Sequence, residues 1–213
     1  MRPKILSLVF ALAFPLVAGV AFAGEQENAV DFVKREHNGL LGTLKEPAGT
    51  TRENALNDKL EKFVDFEEIA HRTFGDPCPI AVATCTNYWA TFNDAQKKEV
   101  STLLKKLIQK NYRKNFDKTV DYNVTFATPK QVGEHLVRVR TEAKSKTNIR
   151  EQPTQIDYVV RISGDALRVM DIVTEGSSLS KSYNKQFSDI LSNPAQGYPH
   201  VVKKLNEKIA AKK

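Results

Sequence analysis

Near residue 119 of this 213-residue chain the spacing of apolar side chains changes, and the change limits the folds open to it. From Glu25 to about Phe116 the apolar residues recur every three or four positions, the period of a helix with one buried face. From Thr119 the period is two, the signature of strands whose alternate side chains face opposite ways. Beyond Glu175 the helical period returns. Helices first, a run of strands next and helices last predict an α+β fold with an antiparallel sheet, not an alternating parallel one.

Ala29, Val30, Val33, Leu40 and Leu41 predict a first helix, and Leu56, Leu60 and Phe63 a second, after the loop at Pro47-Ala48-Gly49. A short third helix starts at the N-cap Asp65, with Glu68 three residues on, and stops at Gly75. The longest begins at Asn93, where Gln96 completes a capping box, and buries Val100, Leu103, Leu104, Leu107, Ile108 and Tyr112. Four strands follow, at Val120 to Phe126, Leu136 to Ala143, Ile156 to Ile162 and Leu167 to Val173. Their short links carry Pro129, Gly133, Pro153 and Gly164, which predicts a meander. Such a sheet twists, so it can curl around a helix and leave a concave apolar face. A single domain is expected over 24–213, helical over 24–116, sheet over 119–175, and helical again over 178–212.

Arg2 and Lys4 precede an apolar run from Ile5 to Val20, and Ala21-Phe22-Ala23 is a small-x-small cleavage site. Residues 1–23 are therefore expected to be a signal peptide, cleaved after Ala23. The run is shorter than the ~20 residues a spanning helix needs, and it contains Pro15. The formal charge is +7, and removing Arg2 and Lys4 leaves +5 on the remainder. For an exported chain this favours anionic membrane surfaces or acidic proteins over nucleic acid, which is not expected as a partner. Export also favours a disulfide between the two cysteines, Cys78 and Cys85, stabilising by roughly 2–3 kcal/mol.

Catalytic patterns are not found. His37, His71, His135 and His200 are scattered, and none lies at metal-ligand spacing from the cysteines. The serines near Ser177 form no nucleophile elbow, Glu67 and Glu68 are helix neighbours that do not face each other, and no glycine-rich phosphate loop occurs. No catalytic residue, metal or cofactor is expected. The alternative, an exported small-molecule enzyme on a cone-shaped α+β fold, needs an acid inside its cavity, with Asp157 or Asp171 as candidates.

The stretch "VMDIVTEGSSLSKSYNKQF" ends the last strand on Asp171, turns at Glu175-Gly176, and sets Leu179, Tyr183 and Phe187 four residues apart on one helix face. With "KLEKFVDFEEIAHRTFG", "YWATFNDAQKKEVSTLLKKLIQKNY" and "IDYVVRI", in that chain order, it resembles the MlaC family of periplasmic phospholipid-binding proteins, also known as the toluene-tolerance family. The similarity runs over nearly all of the chain after residue 23. Three features depart from the family pattern: Asn184 after Tyr183 where Arg is common, Leu167 where a Trp is usual, and the inserted Cys78–Cys85 segment.

The resemblance implies a helical layer packed on a curved four-stranded antiparallel sheet, enclosing an apolar lipid pocket. It implies bound phospholipid as cargo, passed between an outer-membrane lipoprotein/porin complex and an inner-membrane ABC transporter complex. The pocket wall is then expected from alternate sheet residues, Val124, Phe126, Val137, Val139, Tyr158, Val160 and Val169, with Leu104, Leu107 and Ile108 opposite. Leu179, Tyr183 and Phe187 are expected at its mouth or floor, and Arg161, Lys181 and Lys185 at the entrance, near the head group. Glutamate at Val139 or Val160 is expected to expel the cargo and leave the fold intact.

Overall fold

The computed structural model describes the backbone of residues 18–78, 85–148 and 150–211, and their side chains except those of 18–23 and 113–119. The expected signal peptide lies outside the described residues, apart from the helical backbone of 18–23. No helix among the described residues is long and apolar enough to cross a membrane.

Helices α1 (Ala18–Leu44), α2 (Thr50–Phe63), α3 (Phe66–Thr73) and α4 (Asp94–Thr119) precede the sheet, and α5 (Leu179–Leu191) and α6 (Gly197–Ala210) follow it. Capping sets two of the starts before the sheet, those of α3 and α4. The Asn93 Oδ1 accepts the Gln96 N–H at 2.9 Å, and the Gln96 Oε1 accepts the Asn93 N–H at 3.0 Å. The Asp65 carboxylate accepts the Glu68 N–H at 3.0 Å. The Glu68 side chain does not return to Asp65; it pairs with Arg72 at 2.7 Å and Arg161 at 3.3 Å. Gly75 follows α3 with φ +86°, and a Cβ there would collide with the Thr86 carbonyl oxygen. That close approach lets the chain return after the Cys78–Cys85 disulfide, whose Cα atoms are 5.7 Å apart, so that the Trp89 N–H donates to the Phe74 carbonyl at 3.0 Å.

Among the described residues the sheet has six strands where four were expected. These are β1 (Tyr122–Phe126), β2 (Lys130–Gly133), β3 (Leu136–Ser145), β4 (Thr154–Ser163), β5 (Ala166–Thr174) and β6 (Ser177–Ser178). Their order is β1-β3-β4-β5-β6, with β2 on β3, and every pair is antiparallel. β1 pairs with Thr141–Ser145 and β2 with Leu136–Arg138, so the two share one edge of β3. The additional strands, β2 and β6, are too short to show a period. A bulge leaves Met170 unpaired, since Val160 faces Val169 while Val159 faces Asp171. A bulge of this kind bends the strand and increases its twist.

The inward face of β3 carries Val137, Val139, Thr141 and Ala143, and that of β4 carries Ile156, Tyr158, Val160 and Ile162. One half of this face is filled. Val137, Val139, Val160 and Val169 are all 0% exposed, in one cluster with Phe32 and Val33 of α1 and Leu56, Leu60 and Phe63 of α2. The Phe63 ring meets those of Phe32 and Tyr158, each at 5.6 Å. The four valines therefore have the expected facing but sit under helices. The expectation that glutamate at Val139 or Val160 leaves the fold intact is corrected accordingly, because an unpaired buried carboxylate has nothing to solvate it. Val139→Glu is expected to destabilise by about 4 kcal/mol or more and to abolish the cooperative thermal transition seen by circular dichroism. A folded variant with an unchanged transition would show that this half of the sheet is not sealed.

Candidate functional site

The other half of the inward face opens into a cavity of about 410 Å³. Its sheet wall is built from Val124 on β1, Thr141 and Ala143 on β3, Ile156 and Tyr158 on β4, and Ile172 and Thr174 on β5. Opposite lie Ile108, Asn111 and Tyr112 on α4 and His37 on α1. Leu179, Ser182, Tyr183 and Gln186 on α5, Ser177 on β6 and Lys208 in the last turn of α6 complete it. Ala143, Tyr158, Ile172 and Ile108 are buried and mark the floor; Asn111, Thr174, Ser177 and Gln186 are exposed and mark the rim.

Asp171 fixes the position of α5. Its carboxylate accepts the Ile172 and Ser180 N–H groups at 2.9 and 3.1 Å, and the Ser178 and Ser180 hydroxyls at 2.6 and 2.9 Å. Ser178 in turn caps the helix, accepting the Lys181 N–H at 3.1 Å. The turn between β5 and β6 uses Glu175 at φ +48° and Gly176 at φ +77°, the two left-handed positions a tight hairpin requires. The Glu175 carboxylate offsets its own strain by accepting the Gln155 N–H at 2.6 Å. From there Phe187 stacks between Phe74 and Tyr183, with ring centroids 5.6 and 5.8 Å away. The Tyr183 hydroxyl meets the Asn111 amide at 3.4 Å, closing α5 against α4.

The interior is electrically quiet. Burial pushes the Tyr158 phenol up to about 12 and raises those of Tyr112 and Tyr183 as well, so all three stay neutral at ordinary pH. Burial lowers His37 from its ordinary 6.5, which keeps the imidazole neutral too. Among the described residues no Asp or Glu lines the cavity, and Lys208 is the one lysine or arginine that does. Among the same residues no three His, Cys, Asp or Glu side chains come together to hold a metal ion.

Of the residues expected from sequence, Ile108, Val124, Tyr158, Leu179 and Tyr183 line the cavity. Leu104, Leu107, Val137, Val139, Val160, Val169 and Phe187 lie in the core behind or beside it. Phe126 packs half-buried on that core, beneath the Lys34 ammonium at 5.5 Å. Arg161 is on the outward face of β4, paired with Asp65 at 2.5 Å and Glu68 at 3.3 Å, because strand alternation turns it away from Tyr158 and Val160. Lys181 and Lys185 are exposed and outside the lining, since the cavity face of α5 runs through Leu179, Ser182, Tyr183 and Gln186. Thr141, Ala143 and Ile156 could have been found by following the same alternation further, two and four residues past Val139 on β3 and two before Tyr158 on β4. Nothing in the local pattern points to Lys208 or His37; tertiary packing brings them in.

A model of the MlaC protein family matches residues 34–207. The chain belongs to the MlaC family. Among solved structures, this MlaC-family chain is similar to a phospholipid-binding protein from Ralstonia solanacearum in complex with a phospholipid. The TM-score is 0.69 at 23% identity, over 85% of this chain and 97% of that one. No curated protein matches the chain. Asn184, one of its departures from the family pattern, is buried and donates to the Thr73 carbonyl at 3.1 Å, tying α5 to the end of α3.

Two outcomes follow for this MlaC-family site. Asp171→Ala strands buried donors at the start of α5, and is expected to cost about 3 kcal/mol in urea unfolding. A loss near zero would show that the α5 start does not depend on the carboxylate. His37 has a lower proton affinity folded than unfolded, so the unfolded chain binds the proton first as pH falls. Its contribution is fully present above pH 6.5 and is lost below it. The melting temperature should therefore drop between about pH 7.5 and about pH 5, and His37→Gln should flatten that slope. An unchanged slope in the variant would assign the pH dependence to other groups.

Proposed function

We propose that this chain is a periplasmic phospholipid carrier, which shields acyl chains in the cavity and moves lipid between an outer-membrane lipoprotein/porin complex and an inner-membrane ABC transporter complex. The observation that carries the reading is the cavity itself: apolar on its floor, polar at its rim, and free of carboxylates among the described residues. Family membership and the phospholipid held by the similar Ralstonia solanacearum protein support it. Export, with removal of residues 1–23, is part of the same reading and fits the Cys78–Cys85 bond.

The physical need for a carrier is large. Each CH₂ moved from hydrocarbon into water costs ~0.8 kcal/mol, so two long chains cost on the order of 20 kcal/mol. A protein that covers the chains and leaves the head group wet removes most of that barrier. Binding also fits the acids better than catalysis does. Asp157 lies on the outward face, held by Arg140 at 3.2 and 3.3 Å and by Gln155 at 3.1 Å. Asp171 is occupied by four donors outside the lining. Neither is placed to serve an enzyme cavity.

Organic extraction of the exported, purified protein followed by mass spectrometry is expected to yield phospholipid. Ala143→Phe puts a ring where a methyl group faces the cavity floor, and should lower co-purified lipid by about tenfold, equivalent to ~1.4 kcal/mol. Protein free of lipid from the outset would end the carrier reading, and a variant with its full complement would move the cargo out of this cavity.

A further inference from the structure

Two of the chain's departures from the family pattern, the Cys78–Cys85 segment and Asn184, meet at the C-terminal end of α3. Asn184 on α5 donates to the Thr73 carbonyl there. From the other side, the disulfide returns the chain so that Thr86 to Trp89 lies against Gly75 and Phe74. The stretch from Cys85 to Tyr88 forms neither helix nor strand. Among the described residues a single backbone hydrogen bond joins this segment to the end of α3, from the Trp89 N–H to the Phe74 carbonyl at 3.0 Å. One such bond is a weak tether, so the place of the segment depends on its covalent closure.

The segment carries one end of a stack of rings. Trp89, buried and the one tryptophan of the chain, packs on His71 at 4.2 Å and Phe74 at 6.4 Å. Phe74 stacks on Phe187 at 5.6 Å, and Phe187 on Tyr183 at 5.8 Å. Tyr183 lines the cavity. Phe92 extends the stack sideways, meeting Phe74 at 5.3 Å and Tyr198 of α6 at 5.2 Å. The rings thus run from beside the disulfide to α5 and α6, the helices that close the side of the cavity. Close-packed rings have no slack, so a shift of Trp89 is passed to Phe187.

Resting on the carrier reading above, we infer that the Cys78–Cys85 bond is a positioning device for the cavity wall. It holds Trp89 against Phe74, and through Phe74 it holds Phe187 and Tyr183, so that retention of cargo depends on the redox state of the bond. Cys78 and Cys85 are both half-exposed, within reach of a thiol reductant. A dithiol that reduces the bond gives up two electrons and two protons, leaves two thiols on the chain and becomes a disulfide itself. The freed segment then no longer fixes Trp89, and the α5 wall loosens. The oxidised protein holds its lipid and the reduced protein lets it go faster.

The exported protein is loaded with a fluorescently labelled phosphatidylglycerol, and its release to phosphatidylcholine vesicles is timed before and after reduction with dithiothreitol, well below the melting transition of either form. Release is expected to quicken about fivefold on reduction, and the emission of Trp89 to move to longer wavelength. The double variant Cys78→Ser, Cys85→Ser should release like the reduced protein and ignore the reductant. Leu56→Ala, in the sealed half of the core, lowers stability away from the ring stack and should leave release unchanged. Phe74→Leu should quicken release by itself, and reduction should then add little, because the relay is already slack. Release indifferent to reduction would overturn the inference. An equal effect of Leu56→Ala would reduce it to general stability, and a full fivefold effect of reduction in Phe74→Leu would remove the relay through that ring. Protein that takes up no lipid would end the carrier reading instead; Trp89 emission still decides the positioning role, which an unchanged spectrum on reduction would overturn.

Discussion

An apolar sheet face has to be covered along its whole length, and here the helices fill only part of it. β3 and β4 carry inward side chains from Val137 and Ile162 at one end to Ala143 and Ile156 at the other. α1 and α2 fill the first end with Phe32, Leu60 and Phe63. At the second end α4, α5 and α6 close the sides without filling the middle. A hydrocarbon chain entering it supplies the missing contacts. The cavity is thus the uncovered remainder of the core, and in the proposed function a bound acyl chain would complete that core.

The covering depends on where α5 starts. A strand that ends in the core must release the chain sharply for a helix to return over it. Asp171 permits this by gathering two backbone N–H groups and two serine hydroxyls. Glu175 and Gly176 supply the two left-handed residues of the turn. A small error in this junction would rotate α5, and with it both the Phe187 packing and the Tyr183 wall.

Alternation on the strands also separates charge from the cavity. The same β4 that sends Tyr158 inward sends Asp157 and Arg161 outward, where they meet Arg140 and the Asp65–Glu68 pair. The inside keeps phenols and an imidazole held neutral by burial. That leaves Lys208 as the lining cation among the described residues, at the end of α6, where the helix dipole favours a positive group.

Local pattern carried much of this. The change of period at residue 119 determined an α+β fold, the Asn93 and Gln96 pair determined where α4 begins, and strict alternation determined which side of β3 and β4 turns inward. Those are short-range properties, set by the backbone geometry of neighbouring residues. Position along the strand is not short-range. Val139 and Ala143 share a face and a residue class, yet one is sealed under α1 and the other lines the cavity. The same holds for Leu104 and Ile108 on α4. Which end of the sheet stayed open was decided by where α1 and α2 dock, and the site's cation by where α6 ends, because those contacts join segments distant in the chain and leave no periodic trace within either.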